Sequence, residues 1–356
     1  MVGRLDQRWV LLAKPTDYLT EGQQTTQLEC CYLYMRLFGS LTVLLVFFFF
    51  SSCQDDGAIP QTQQKKDPVF IGTFEVTNSS IPVDEIREGG PPKDGIPAID
   101  EPQYISADRV DFLKDSDLVL GIVRGNRARA YPTRILDWHE IVNDSMGDED
   151  LLITYCPLCG SGMAFAGSWA GERRTFGVSG VLYNSDVLLY DRKTESLWSQ
   201  IKGEAVTGVE LGTKLKPLGL QVVPWKTWKS KHPNTEVLSK ETGWDRDYDS
   251  DAYDTYRKNN SIWFPISASS NAFPNKEWVL GIEQNGRYKA YAFSELKKSA
   301  SDTIVDFFNG QKLRIIIDRD SETGAIYNEA GVLLPHTRLY WFAWYAFHED
   351  TQIYRY

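Results

Sequence analysis

The chain has 356 residues, with 38 basic against 48 acidic side chains, a net charge of −10 and an aromatic content of 13 % that includes 11 Trp. That length and those aromatics suffice for a substantial buried core, and the acidic balance excludes phosphate backbones as natural partners, so no nucleic acid is expected. Five cysteines, two of them adjacent at Cys30-Cys31, give no disulfide framework.

Residues 1–34 hold polar stretches and carry no export pattern, so Met35 is the expected start. Residues 35–52 read as a lipoprotein signal peptide. Arg36 is followed by an apolar run at 37–50, broken only by Gly39, Ser40 and Thr42. The run is shorter than the roughly 20 apolar residues of a membrane span. It ends in Phe50-Ser51-Ser52-Cys53, which resembles a lipobox with Phe in the usual place of Leu. Cys53 is therefore the expected lipidation site, and outer-membrane lipid the expected partner through that acylated Cys53. The chain is expected in the cell envelope, held by this anchor. Residues 53–68 read as a flexible tether, and Asp55-Asp56 just after the cysteine resemble a surface-export signal.

Residues 69–356 read as one β-rich domain. Short runs rich in Val, Ile, Leu and Tyr, at 118–123, 151–155, 187–190, 278–282 and 313–317, are bounded by Gly, Asn and Asp. Short helices are expected at 132–142, 225–237 and 292–298. The aromatic segment 340–347 is apolar on both faces and predicts a central, buried strand or short helix.

Leu120-Gly121-Ile122, Gly125-Asn126 and Ala130-Tyr131 recur as Leu280-Gly281-Ile282, Asn285-Gly286 and Ala290-Tyr291, with the Leu, Gly, Ile, Ala and Tyr matches all 160 positions apart. Each copy reads as a hairpin. Repeats near 104–200 and 262–356 follow, and with them an α+β, β-rich fold of two related halves around a shared core. The first copy runs into Cys156-Pro157-Leu158-Cys159, the second into Asp318-Arg319-Asp320. A thiol pair confined to one copy is not needed to build the unit, which points to function.

Cys-Pro-Leu-Cys-Gly has the form of a metal knuckle, with Pro shaping the turn and Gly freeing the backbone behind the second sulfur. A single knuckle needs further ligands, and the chain has only four histidines. His232 and His336 flank prolines, leaving His139 and His348. The expected metal site is Cys156, Cys159, His139 and His348, holding copper in the +1 state or zinc. Asn184, Asp186, Asp191 and Arg192 are expected to line a pocket near the thiols, or else to form a self-satisfied hairpin. Two other classes compete. One is a thiol–disulfide oxidoreductase using Cys156 and Cys159, although Gly160-Ser161-Gly162 makes a poor helix start. The other is a surface module binding a glycan or peptide through Trp and Tyr, with structural cysteines.

Residues 154–161 (Thr-Tyr-Cys-Pro-Leu-Cys-Gly-Ser), Ser179-Gly180, Tyr190-Asp191-Arg192, Ser196-Leu197-Trp198 and Phe342-Ala343-Trp344 resemble the domain of unknown function 3179 family of bacteria and archaea. The likeness covers nearly all of 69–356. It implies an exported, often lipid-anchored protein, and it brings no activity with it.

Overall fold

The structure, a computed structural model, describes residues 67–356. The upstream segment, the expected signal peptide, Cys53 and the tether up to residue 66 lie outside the described residues. Five antiparallel-based sheets dominate. Sheet A is the hairpin Leu118–Arg124 and Arg127–Pro132, flanked by Gln221–Pro224, Glu236–Leu238 and Tyr104–Ser106. Sheet B is Ile141–Met146, Glu149–Cys156, Ser161–Ala166 and Pro217–Leu218. Sheet C runs from Arg87–Glu88 through Phe176–Tyr183, Asp186–Asp191 and Leu197–Ser199 to Glu204–Ala205. Sheet D is the hairpin Trp278–Gln284 and Arg287–Ala292, with Thr337–Tyr340 and Gln352–Ile353 at its edges. Sheet E is Thr303–Phe308, Gln311–Asp318 and Thr323–Asn328.

These sheets form a five-blade, propeller-like ring with 41 % strand and 11 % helix. The expectation of an α+β fold in two halves is thereby overturned, for two physical reasons. The helices stop early. Thr133–Leu136 and Phe293–Leu296 are one turn each, and the next stretch of chain turns into an edge of the following sheet. Trp225–Lys231 and Trp341–Phe347 are two turns, the second being the aromatic segment that strand alternation had left open. In addition, sheet C has no counterpart in the second half of the chain.

Sheets A and B match D and E strand for strand except at their edges, where Tyr104–Ser106 and Pro217–Leu218 have no counterpart strand. The hairpins pair over six residues in the same register, Val119↔Pro132 to Arg124↔Arg127 and Val279↔Ala292 to Gln284↔Arg287. The Gly in each first strand is required by a close approach. A Cβ at Gly121 would overlap the Trp228 ring, and one at Gly281 the Trp344 ring. Each of these Trp side chains donates its indole N–H to a Thr hydroxyl seven residues on, Trp228 to Thr235 at 3.0 Å and Trp344 to Thr351 at 2.8 Å. The edge strands interlock the sets: Thr337–Tyr340 lies against Ser161–Ala166, and Gln221–Pro224 against Thr323–Asn328.

Burial separates the blades. Gln311–Asp318 alternates between exposed and buried, as a strand with one wet face should. Asp186–Asp191 is buried at every position, so it lies inside the molecule on both faces. The largest hydrophobic cluster joins this strand to Cys156, Cys159, Trp198, Tyr256 and Trp341. The thiols thus sit in the central core rather than in a surface loop.

Candidate metal centre

The knuckle closes the hairpin between Glu149–Cys156 and Ser161–Ala166, where Cys156 pairs with Ser161. Four residues turn the chain, and the last, Gly160, is left-handed at φ 64°. The matching hairpin closes on Asp318 and Thr323, with Glu322 left-handed at 50° in the same place. The backbone N–H groups of Asp320 and Ser321 donate there to Asp318 Oδ1 at 3.1 and 3.2 Å. Cys156 occupies the position of that accepting carboxylate. The turn therefore forms without cysteines and carries a built-in place for an anion. Gly160 differs from Glu322 because Trp278 packs on it, and a Cβ would overlap that ring. The loop is held from outside as well. Tyr256 Oη donates to the Leu158 carbonyl at 2.9 Å, and the Tyr340 N–H to the Cys159 carbonyl at 2.9 Å.

The third component comes from sheet C. Phe176–Tyr183 and Asp186–Asp191 meet in a two-residue turn, Asn184-Ser185, with φ of 52° and 63°. Positive φ at both positions is the turn type that matches strand twist, and Asn tolerates it best among residues with a side chain. Asn184 is fixed by donating to the Ala346 carbonyl at 3.1 Å and accepting from the Ser267 N–H at 2.7 Å. This aims the Ser185 carbonyl at Cys159 Sγ, 3.4 Å away, and delivers Asp186 beside both sulfurs. One ligand atom each from Cys156, Cys159 and Asp186 lies within 4.8 Å of the others, and all three residues are buried.

Asp186 is only half satisfied. Its Oδ2 accepts from the Ile201 N–H at 3.2 Å, while Oδ1 has no partner among the described residues. The Ser185 hydroxyl is likewise unpartnered. Gln200, beside Ile201, is held by Thr154 and Ser161 at 2.9 and 2.6 Å, so the N–H that anchors Asp186 is itself fixed. No Lys or Arg pairs with the three ligands among the described residues. Burial, unrelieved by a cation, pushes Asp186 up to about 7 and raises both thiols, Cys159 the more because Cys156 and Asp186 add to it. A bound cation would reverse each of these penalties.

Neither expected histidine belongs to this group. His139 is fully buried, with Nδ1 2.7 Å from the Pro97 carbonyl and Nε2 2.6 Å from Tyr248 Oη, so both ring nitrogens are occupied. Burial pulls it down to about 4. His348 stacks on Tyr288 at 3.9 Å and packs on Trp344 at 4.3 Å, repeating the Trp228–His232 contact at 4.2 Å. His348 thus takes the place His232 takes after the matching helix. Of the four expected pocket residues, Asn184 and Asp186 build the site. Asp191 instead accepts from Thr194 N–H at 2.8 Å and Trp198 Nε1 at 3.1 Å, closing its own turn. Arg192 pairs with Asp100 at 2.6 Å near the surface.

The sequence reading missed Glu140. It follows His139 in a left-handed conformation at φ 56°, and its carbonyl accepts from the Tyr155 N–H at 2.7 Å. It is 7 % exposed, and its carboxylate makes no hydrogen bond among the described residues. Burial, then Asp186 and Asp137, push it up to about 8. Only its position beside two chemically richer neighbours, His139 and the cysteine strand, could have drawn attention to it.

The family described as protein of unknown function (DUF3179) matches residues 93–351. The chain belongs to that family. The matched span contains sheets A to E apart from the edge strands Arg87–Glu88 and Gln352–Ile353, and with them every residue of this site. No curated protein and no solved structure gave a significant match to this DUF3179 chain.

Proposed function

We propose that this DUF3179 protein binds one transition-metal ion through Cys156, Cys159 and Asp186, and that zinc is the preferred ion. The observation that carries the reading is a convergence of three potential anionic ligands in a buried, cation-free place, with Asp186 Oδ1 left unpartnered. Two thiolates suit either zinc or copper in the +1 state. A carboxylate as third ligand suits zinc, which accepts S and O donors at tetrahedral distances. Three protein ligands leave one coordination position open. That is the pattern of reactive rather than purely structural zinc sites.

The oxidoreductase reading draws less support. A reactive dithiol needs a lowered thiol pKa and access, whereas here both thiols are buried and raised. The glycan or peptide module also draws little. Trp198, Trp228 and Trp341 are fully buried, and the exposed aromatics Phe70, Trp244, Phe307 and Tyr356 come from separate segments. The lipid anchor at Cys53 and an envelope location stand as proposals supported by the signal-like pattern at 35–53.

The test is metal content after anaerobic reconstitution with zinc or copper(I). We expect about one zinc per chain, lost in Cys156→Ser and in Asp186→Ala. Copper retained in Asp186→Ala would favour a two-sulfur copper site, and no stoichiometric uptake of either metal would sink the reading.

A further inference from the structure

Arg338 is a buried cation without an anion. It lies in the strand Thr337–Tyr340, is 5 % exposed and forms no ion pair among the described residues. Its Nε donates to the Glu322 carbonyl at 2.6 Å, while the Glu322 carboxylate pairs with Lys297 at 2.6 Å. Its guanidinium lies over the Trp278 ring, 3.4 Å from the centroid, and Trp278 in turn packs on Tyr340 at 4.0 Å. Neither Nη group makes a hydrogen bond among the described residues, and neither is sealed from solvent. The end-on fork of two parallel donors is therefore free, with the indole ring and the Glu322 carbonyl holding it in place. An unpaired cation so deep is kept at a cost, and burial pulls it down to about 10.

The scaffold does not need this cation. Sheet A sets Val222 opposite Leu120 where sheet D sets Arg338 opposite Leu280. Leu118 and Pro224 likewise stand where sheet D has Trp278 and Tyr340. The whole stack is replaced by aliphatic side chains in the matched sheet, so the blade packs without a charge there. We propose that Arg338, fixed on Trp278, binds a small oxyanion end-on through its two Nη groups, and that a carboxylate is the preferred form. A planar carboxylate offers two oxygens to the two parallel donors, and an opening of 5 % exposure suits a narrow group. The proposal does not rest on the metal reading of Cys156, Cys159 and Asp186.

The experiment is isothermal titration of the full chain, in chelator, with sodium acetate and separately with sodium phosphate, at an ionic strength held constant with sodium chloride. Wild type, Arg338→Met and Arg338→Lys are compared. We expect one acetate per wild-type chain, with a Kd of roughly 1 mM, and weaker binding of phosphate. Arg338→Met should show no saturable binding. Arg338→Lys should bind acetate at least about tenfold more weakly, because an ammonium keeps the charge and loses the fork. No saturable binding of either anion by wild type would overturn the proposal, as would an Arg338→Met variant that binds as wild type does. Phosphate held more tightly than acetate would overturn the carboxylate preference and support the oxyanion site. If Arg338→Met does not fold, Arg338→Lys decides: an acetate affinity within about threefold of wild type would overturn the proposal, since the fork would then be unused.

Discussion

Asp186→Asn should make the metal-free protein more stable and the metal-loaded protein less so. The substitution keeps the shape of the side chain and leaves an oxygen to accept the Ile201 N–H. What it removes is a carboxyl whose pKa, 3.8 ordinarily, is pushed up to about 7 by burial. The raised value means that the folded protein holds a proton which the unfolded chain has already released. Stability therefore falls as pH rises from about 4, and the loss is complete above about pH 7. Its full size is about 4 kcal/mol, and since Glu140 shares the same field, about 2–4 kcal/mol should be recovered by the amide at pH 8. At pH 4 the two proteins should agree within about 0.5 kcal/mol. Zinc at a thousandfold over its dissociation constant adds about 4.1 kcal/mol to wild type and little to the variant, which exceeds the amide's advantage, so the order reverses. Urea unfolding with a reductant, in chelator and in zinc, at pH 4 and pH 8, gives the four differences. An Asn variant that is less stable than wild type in chelator at pH 8 would refute the claim that Asp186 is held at a cost for the sake of a cation. A variant stabilised by zinc as much as wild type would refute its role as ligand.

The two matched turns give an opposed pair of outcomes. Gly160→Ala adds a Cβ to a left-handed residue against the Trp278 ring and should cost about 2–4 kcal/mol. Glu322→Gly, at the matching left-handed position, should be neutral or stabilising by up to about 1 kcal/mol, and thermal melts read both. His139→Ala should leave zinc stoichiometry at the wild-type value while costing about 1–3 kcal/mol, because Pro97 and Tyr248 lose their buried partner. Zinc lost from that variant would restore His139 to the ligand set. Arg129→Met strips Asp144 of a buried ion pair at 2.5 Å and should cost about 3–5 kcal/mol in urea unfolding. Lys289→Met breaks the matching pair with Asp306, which is more exposed at 17 %, and should cost less.

Much of the scaffold was legible because its constraints are local. The Gly-containing hairpins announce themselves by strand alternation and turn residues, and the 160-residue spacing located both. The spacing failed further along for a physical reason. Trp225, Trp228, His232 and Thr235 match Trp341, Trp344, His348 and Thr351 at a spacing of 116, because sheet C intervenes in the first set and nothing intervenes in the second. A search at one fixed offset could not see this second match. His348, expected as a ligand, is the counterpart of His232, and both pack on a tryptophan at a helix end. Cys156 and Cys159 were legible because two sulfurs at that spacing have few other uses. Asp186 was legible only as a neighbour. A carboxylate becomes a ligand through the turn that aims it, and that aim depends on Asn184 reaching Ala346 and Ser267, contacts across 162 and 83 residues of chain.

The placement of the site follows from that asymmetry. Sheets B and E share the turn that presents an anion at its first residue, and in sheet E that anion is Asp318, satisfied by its own backbone. Such a turn closes on itself and asks for nothing more. In sheet B the same place holds a sulfur, a poorer acceptor of backbone N–H groups. Sheet C, the blade without a counterpart, then brings a carboxylate to face it. Neither step helps the apo fold, since each adds a group whose charge is resisted by burial. Stability alone would favour the Asp318 arrangement on both sides of the ring. Two independent departures from it, on two blades, meeting within 4.8 Å, are what the proposed cation would account for by completing the core.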